Sequence, residues 1–457
     1  MLPPSTAVEI STAGARLSTV VPGESRGANE DLELTNMDLA VKLHYIKGVY
    51  FFRRITATTT ASGGGDQSPI TVAGGISIDE LKSPMFALLD RFFPAAGRIR
   101  RSDDGRPYIK CNDAGVRIVE AFCVELTVDE CLAMGELGSS FHDRLCYKQV
   151  LGPDLGFSPL VFLQFTWFKC GGFSVGLSWG HILGDVVSAS TFINVWAQIM
   201  AGHVPQKSLH VPSSIKLHDD DLQDFVANKP LSLKELDPVE NYWSLPANNG
   251  QNMRTHSFRV SSKQLELLMS NTCDKKATNF SQFEILSAVI WKSLSRIREN
   301  SGSKIVTICC YKYPRGDGDG KIEILNNKNI VVSTIKTSFE ADVSELAYLI
   351  ANNRTIENDA IEEMVGRNNG KGDFSMYGTN LTFVNLEEVE IYGLEVKGEK
   401  PIFANYTVEG VGDEGLVLVL PGSPKMEEGD ARTVTVFLPE YQVAHLENEL
   451  KTKWDIA

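Results

Sequence analysis

No Cys-x-x-Cys pair occurs in this sequence, and its 8 cysteines follow no regular spacing. That excludes zinc-ribbon modules and gives no sign of a disulfide framework, so reduced thiols are expected. Basic residues are in deficit: 44 Lys and Arg stand against 58 Asp and Glu, a net charge of −14, with a pI near 5.2. Such a balance excludes a dedicated nucleic-acid binder and attachment to anionic lipid through basic patches. No apolar run precedes the first basic residue, Arg16, so no secretory leader is expected. A phosphate loop is missing too. Gly316-Asp-Gly-Asp-Gly-Lys-Ile322 lacks one spacer residue and the Ser/Thr, and its acids would repel phosphate. Arg315-Gly-Asp317 reads as an incidental turn.

An unbroken membrane span is also lacking. Phe157–Trp179 is long enough on length alone, but Ser158-Pro159, Lys169 and Gly171-Gly172 sit badly in a helix interior. The stretch reads instead as two strands, Leu160–Phe168 and Phe173–Trp179, joined at a Lys-Cys-Gly-Gly turn.

What is present is apolar content: 43% of 457 residues, enough for large cores, with a length that favours two or three domains. Strands are expected at Ala15–Val21, Tyr45–Phe52, Gly97–Arg101, Tyr108–Cys111 and Val116–Ala121, and a helix over Ile78–Phe93 stopped by Pro94. Thr58–Gly75 is low in complexity and reads as a surface loop. Val186–Met200 reads as a helix closed by Gly202. From His203 to Asn252 prolines at 205, 212, 230, 238 and 246 interrupt any period, which marks a crossover linker. Beyond it, strands are expected at Arg254–Val260, Ile305–Tyr311, Ile330–Thr337, Leu381–Val384, Ile402–Val411, Leu416–Leu420 and Thr433–Leu438. Helices are expected after the capping box Ser281-Gln-Phe-Glu284, over Val343–Asn352 and over Pro439–Lys453. Strands and helices interleave throughout, an α/β pattern.

The chemistry concentrates at Gly176-Leu-Ser-Trp-Gly-His-Ile-Leu-Gly-Asp185, where a histidine and a carboxylate follow an apolar run four residues apart. His181 is a candidate general base, able to take a proton from a hydroxyl or amine attacking a thioester. The alternative is a structural histidine at a strand end. At i,i+4 on one helix turn Asp185 could share a face with His181 and bind a metal, but no third ligand stands at recognisable spacing, so no metal is expected. Asp185 reads better as a structural carboxylate at a helix start, paired there, with Asp185→Asn expected to cost soluble protein. A rival is Gly176-Leu-Ser-Trp-Gly180, a Gly-x-Ser-x-Gly match with Ser178 as nucleophile and His445 as its distant partner, although Ser178 falls inside the strand-like run. Lys292, Arg296 and Arg298 follow Trp291 and read as a solvated face or as phosphate contacts. Cys309-Cys310 reads as packing.

With these residues placed, the chain resembles the plant BAHD (HxxxD) acyltransferase superfamily. The segments that carry the resemblance are Phe93-Pro-Ala-Ala-Gly-Arg98, Asn112-Asp-Ala-Gly-Val-Arg117, His181-Ile-Leu-Gly-Asp185, the Trp291 helix and Lys400-Pro401. The resemblance implies two pseudo-equivalent chloramphenicol-acetyltransferase-like domains with mixed sheets, joined by a long crossover, with a channel between them. Mapped on this sequence, these are residues 1–202 with the HxxxD motif, the crossover 203–252, and residues 253–457. It implies His181 as the general base and Asp185 as a structural member of the motif. Two departures stand out. Val186 follows the motif aspartate where the family usually has Gly, and Glu395-Val-Lys-Gly-Glu399 stands where it has Asp-Phe-Gly-Trp-Gly.

Longer runs are similar to the eceriferum/glossy-type branch: Lys42–Phe52, Leu151–Leu163, Lys169–Gly172, Asn380–Leu386 and Asn405–Gly412. This resemblance implies an accessory role in very-long-chain fatty acid elongation for cuticular wax, beside the β-ketoacyl-CoA synthase of the elongase. The setting it implies is the cytosolic face of the endoplasmic reticulum, reached through that protein partner, or else the cytosol. Acyl-CoA is then a substrate or ligand, no cofactor is held tightly, and the residues contacting CoA stay unassigned. The competing expectation is an acyl-CoA-dependent O- or N-acyltransferase that uses His181.

Overall fold

The computed structural model describes residues 15–25, 30–55, 75–136, 142–148, 151–203, 229–239, 241–245, 252–272, 280–298, 305–312, 325–337, 341–424 and 431–456. The expected loop at 58–75 apart from Gly75, the phosphate-loop look-alike, the Arg-Gly-Asp turn and most of the expected linker lie outside the described residues.

In chain order the main strands are β1 (Arg16–Val20), β2 (Tyr45–Phe52), β3 (Val116–Cys123), β4 (Val161–Phe168), β5 (Phe173–Gly180), β6 (Met253–Val260), β7 (Ile305–Tyr311), β8 (Ile330–Lys336), β9 (Thr355–Ile356), β10 (Leu381–Asn385), β11 (Phe403–Glu409), β12 (Leu416–Pro421) and β13 (Arg432–Pro439). The helices that matter here are α1 (Asn36–Ala40), α2 (Ile78–Arg91), α3 (Val186–Met200), α4 (Gln282–Ile297), α5 (Val343–Asn352) and α6 (Glu440–Trp454).

Two mixed sheets result. The first has the order β1-β3-β4-β5-β2-β11, with β3 and β4 parallel, and the second β6-β13-β12-β10-β7-β8-β9, with β10 parallel to both β7 and β12. The segment suspected of spanning a membrane is the antiparallel hairpin β4–β5, its turn made by Gly171 at φ 78°. Positive φ is open to glycine without a Cβ clash, which is why the turn falls there. The strand β11 comes from late in the chain yet adds to the first sheet, antiparallel to β2 from Phe403 opposite Phe51 to Glu409 opposite Tyr45.

The second sheet is buried on both faces, and β12 shows how. Leu416, Leu418 and Leu420 join the core shared with Trp179 and Phe192, while Val417 and Val419 join the core under α4, α5 and α6. A strand's period of two makes that division. Helix starts follow local chemistry: Thr35 with Asp38, Ser77 with Glu80, Ser281 with Glu284 and Asp342 with Glu345 each form a reciprocal capping box. The divergent segment Glu395–Glu399 closes a tight turn, with Val396 bridged to Glu399 and Lys397 ion-paired to Glu80 at 2.6 Å.

Candidate active site

Strand β5 ends at Gly180, opposite Tyr45, and the chain turns at once into a short 3-10 segment, His181–Leu183. The His181 N–H donates to the carbonyl of His44 on the neighbouring strand's approach, 3.1 Å. Gly184 then takes φ 143°, and a Cβ there would come within 2.5 Å of Ser188 Oγ, so the turn needs glycine. Trp179 Nε1 donates to the Gly184 carbonyl at 3.1 Å and ties the turn to the strand.

Asp185 is the N-cap of α3. Its Oδ1 accepts from the Ser188 N–H at 2.8 Å and from Ser188 Oγ at 3.1 Å. Burial pushes its pKa up to about 6, against the pull of the Ser188 hydrogen bonds. The carboxylate stands at the helix start, and its partners there are neutral groups of its own helix. An Asn oxygen can accept the same two bonds, so Asp185→Asn is not expected to cost soluble protein.

The His181 loop is held from the far side by a buried amide. Asn327 Nδ2 donates to the His181 carbonyl at 2.9 Å and to Asp38 Oδ1 at 2.9 Å, and Asp38 Oδ2 accepts from Thr35 N and Oγ1. The ring itself is fully buried, and its Nε2 lies 3.0 Å from the hydroxyl of Tyr377. Tyr377 is stacked on the imidazole, ring centroids 5.6 Å apart, and meets His44 edge-on at 4.9 Å. His44 accepts the Met376 N–H on its own Nε2 at 3.2 Å. Burial pushes His181 down to about 4; burial and the nearby His181 push His44 down to about 3. Both rings are therefore neutral near pH 7.

Sequence reasoning singled out His181 and Asp185 and missed Tyr377, His44, Asn327 and Asp38. Thr35-Asn-Met-Asp38 carried a capping signature; Tyr377 and Asn327 fall in no periodic run. On the other side of β2, the Tyr50 and Tyr406 hydroxyls touch, and a Cβ on Gly48 would meet the Tyr406 ring at 2.9 Å. A cavity of about 300 Å³ lies between the sheets, lined by Tyr45, Lys47 and His142 on one side and Met253, Thr255 and Phe437 on the other; His181 is not in its lining.

The serine rival does not assemble. Ser178 sits within β5, buried, donating to the Tyr147 carbonyl, while His445 is exposed on α6. A nucleophile elbow needs its serine on the turn itself. Lys292 donates to the Ala341 carbonyl, Arg296 pairs with Glu449 and Arg298 with Glu414, so these cations are engaged within the fold. Cys309 is buried in β7, while Cys310 is half-buried and accepts from Arg354 Nη1 at 3.2 Å. No group of three or more potential metal ligands occurs among the described residues.

The model of the Transferase family matches residues 13–312. Protein ECERIFERUM 2 of Arabidopsis thaliana is 42% identical over 446 residues, 95% of this chain and 97% of that protein. Protein ECERIFERUM 26-like, also of Arabidopsis thaliana, is 35% identical over 96% of this chain and 95% of its own length. Among solved structures, F. graminearum TRI101 complexed with coenzyme A and deoxynivalenol shares the fold with a TM-score of 0.69, at 14% identity, over 93% of this chain and 98% of that one.

Proposed function

We propose that this chain, which belongs to the BAHD transferase family, is an accessory protein of the fatty-acid elongase and not a transferase in its own right. In this reading it acts beside a β-ketoacyl-CoA synthase, the condensing enzyme, to extend very-long-chain acyl-CoAs destined for cuticular wax. Residues 1–202 and 253–457 are its two acyltransferase-like halves, and 203–252 the crossover. Acyl-CoA is the ligand the reading calls for, in keeping with the coenzyme A complex of TRI101. No helix among the described residues is long and apolar enough to cross a membrane. In this reading the cytosolic face of the endoplasmic reticulum is reached through the partner, with the cytosol as the alternative setting.

The observation that carries the reading is the state of His181: fully buried, with Nε2 given to Tyr377 at 3.0 Å. A neutral imidazole nitrogen offers one lone pair or one proton in the ring plane. While Tyr377 holds Nε2, an acceptor must displace the phenol to reach it; Nδ1, the other ring nitrogen, is buried and has no hydrogen-bond partner among the described residues. End-to-end similarity to eceriferum proteins supports the same conclusion. The test is co-expression with a condensing enzyme in a heterologous host that makes shorter acyl chains. Products longer by at least one two-carbon step are expected only when the chain is present; an unchanged product profile overturns the reading.

A second reading, an acyl-CoA-dependent O- or N-acyltransferase with His181 as general base, is favoured by one observation. The neutral ring already holds a hydroxyl at base-to-acceptor distance. It predicts acceptor-dependent release of free CoA from an acyl-CoA.

A further inference from the structure

Tyr377 sits where a side chain is least expected in a protein built on an acyl-transfer fold. A general base works on a hydroxyl placed about 2.6–3.2 Å away, and the Tyr377 hydroxyl is 3.0 Å from His181 Nε2. Its ring is fixed on two faces, stacked on His181 and edge-on to His44. Its backbone is fixed as well. The Gly412 N–H donates to the Tyr377 carbonyl at 2.9 Å. The following Gly378 has φ 79°, and a Cβ on it would stand 2.5 Å from Gly412 backbone atoms. The tyrosine is thus delivered to the histidine by a turn that only glycine allows.

We propose that Tyr377 is an internal occupant of an acceptor subsite: its phenol is held against His181 where an acceptor alcohol would lie, and it keeps that place filled. The inference rests on the reading of His181 as a base left without a substrate, and it adds the residue responsible and the ligand class the place fits, an aryl alcohol. Plain core packing would make a different demand. A packing tyrosine needs a cavity of its shape; an acceptor mimic needs its shape together with a hydroxyl facing the imidazole.

Chemical complementation separates the two. Tyr377→Ala opens a cavity the size of the deleted ring, and apolar cavities of that kind bind the missing group from solution. The probes are p-cresol, which restores ring and hydroxyl, and toluene, which restores the ring alone. Expected is binding of p-cresol to Tyr377→Ala about tenfold tighter than toluene, the worth of one hydrogen bond to a buried group, with a matching rise in melting temperature. The unaltered protein should bind neither, and Tyr377→Ala/His181→Leu should lose the preference. Equal binding of the two probes to Tyr377→Ala, or binding of neither, overturns the inference.

If Tyr377→Ala does not fold with or without p-cresol, Tyr377→Leu carries the test, since it keeps most of the apolar volume and removes the hydroxyl. The 15N resonance of His181 Nε2 should then move from its position in the parent, its hydrogen bond being lost; an unchanged resonance overturns the inference. Neither outcome touches chain extension, so the inference can fail while the accessory role stands. Ester formation by the unaltered protein from an acyl-CoA and an alcohol overturns both.

Discussion

The Tyr377 hydroxyl and His181 Nε2 lie 3.0 Å apart across 196 positions of sequence, inside the core common to both sheets. Each satisfies the other. A buried phenol and a buried imidazole nitrogen would each cost free energy unpaired, so the contact closes the site while stabilising the joint between the earlier and later parts of the chain. The same joint carries a second buried link with a testable consequence.

Lys42 pairs with Asp373 at 2.8 Å, its side chain 1% exposed, and its ammonium lies over the Trp243 ring at 5.0 Å. Burial lowers the Lys42 pKa and the Asp373 charge raises it back. Removing one partner of a buried pair leaves an uncompensated charge, at a cost of about 3–5 kcal/mol. Lys42→Met should lose stability of that order in denaturant unfolding, and Lys42→Met/Asp373→Asn should recover part of it. A loss under about 1 kcal/mol in Lys42→Met would remove the pair from the account of what joins the two parts.

Asp185 makes the opposite case. Its role is to accept from Ser188, which an Asn side-chain oxygen does as well. Its carboxyl is pushed up to about 6 by burial, so it is ionised at pH 7 and carrying that buried charge costs the folded protein stability. Asp185→Asn should therefore be neutral or stabilising at pH 7, with the difference shrinking as pH falls below 6 and the carboxyl protonates. Asp185→Ala, which leaves the cap empty, should cost about 1–2 kcal/mol. Urea unfolding of both variants at pH 7 and pH 5 checks this.

His44 supplies a pH dependence with a definite sign. Its pKa falls from 6.5 in the free residue to about 3 in the fold, through burial and then the facing His181. Between those values the unfolded chain binds a proton that the folded protein does not, so the contribution of His44 is complete above pH 6.5 and is lost as pH drops. Each pH unit in that window should cost the parent about 1.4 kcal/mol that His44→Gln escapes. The stability gap between parent and His44→Gln should narrow accordingly from pH 6.5 to pH 5; a constant gap contradicts the burial of a neutral His44.

Much of the fold was legible where local chemistry sets it. The span Val186–Met200 matches α3 because Asp185 caps it and Gly202 follows it, and Ser281-Gln-Phe-Glu284 opens α4 as its capping box requires. The helices Val128–Glu136 and Ser262–Thr272 went unread although Thr127 with Glu130, and Ser261 with Gln264, form the same reciprocal bonds; Thr-x-x-Glu and Ser-x-x-Gln were the available signals. The crossing of β11 into the first sheet was not legible, because strand period specifies which face is buried and says nothing of a partner some 350 positions away. For the same reason the sequence displayed His181 and Asp185, four apart on one turn, and hid Tyr377, whose meaning depends wholly on what it faces.

If the chain assists a condensing enzyme, extension of acyl chains does not pass through proton transfer at His181. The direct measurement is the chain-length distribution of very-long-chain products in a host expressing a condensing enzyme with either the parent chain or His181→Ala, at matched levels of folded protein. His181→Ala should retain most of the extension seen with the parent. Loss of most extension by a variant that is folded and equally abundant would contradict this and favour His181 as a working general base.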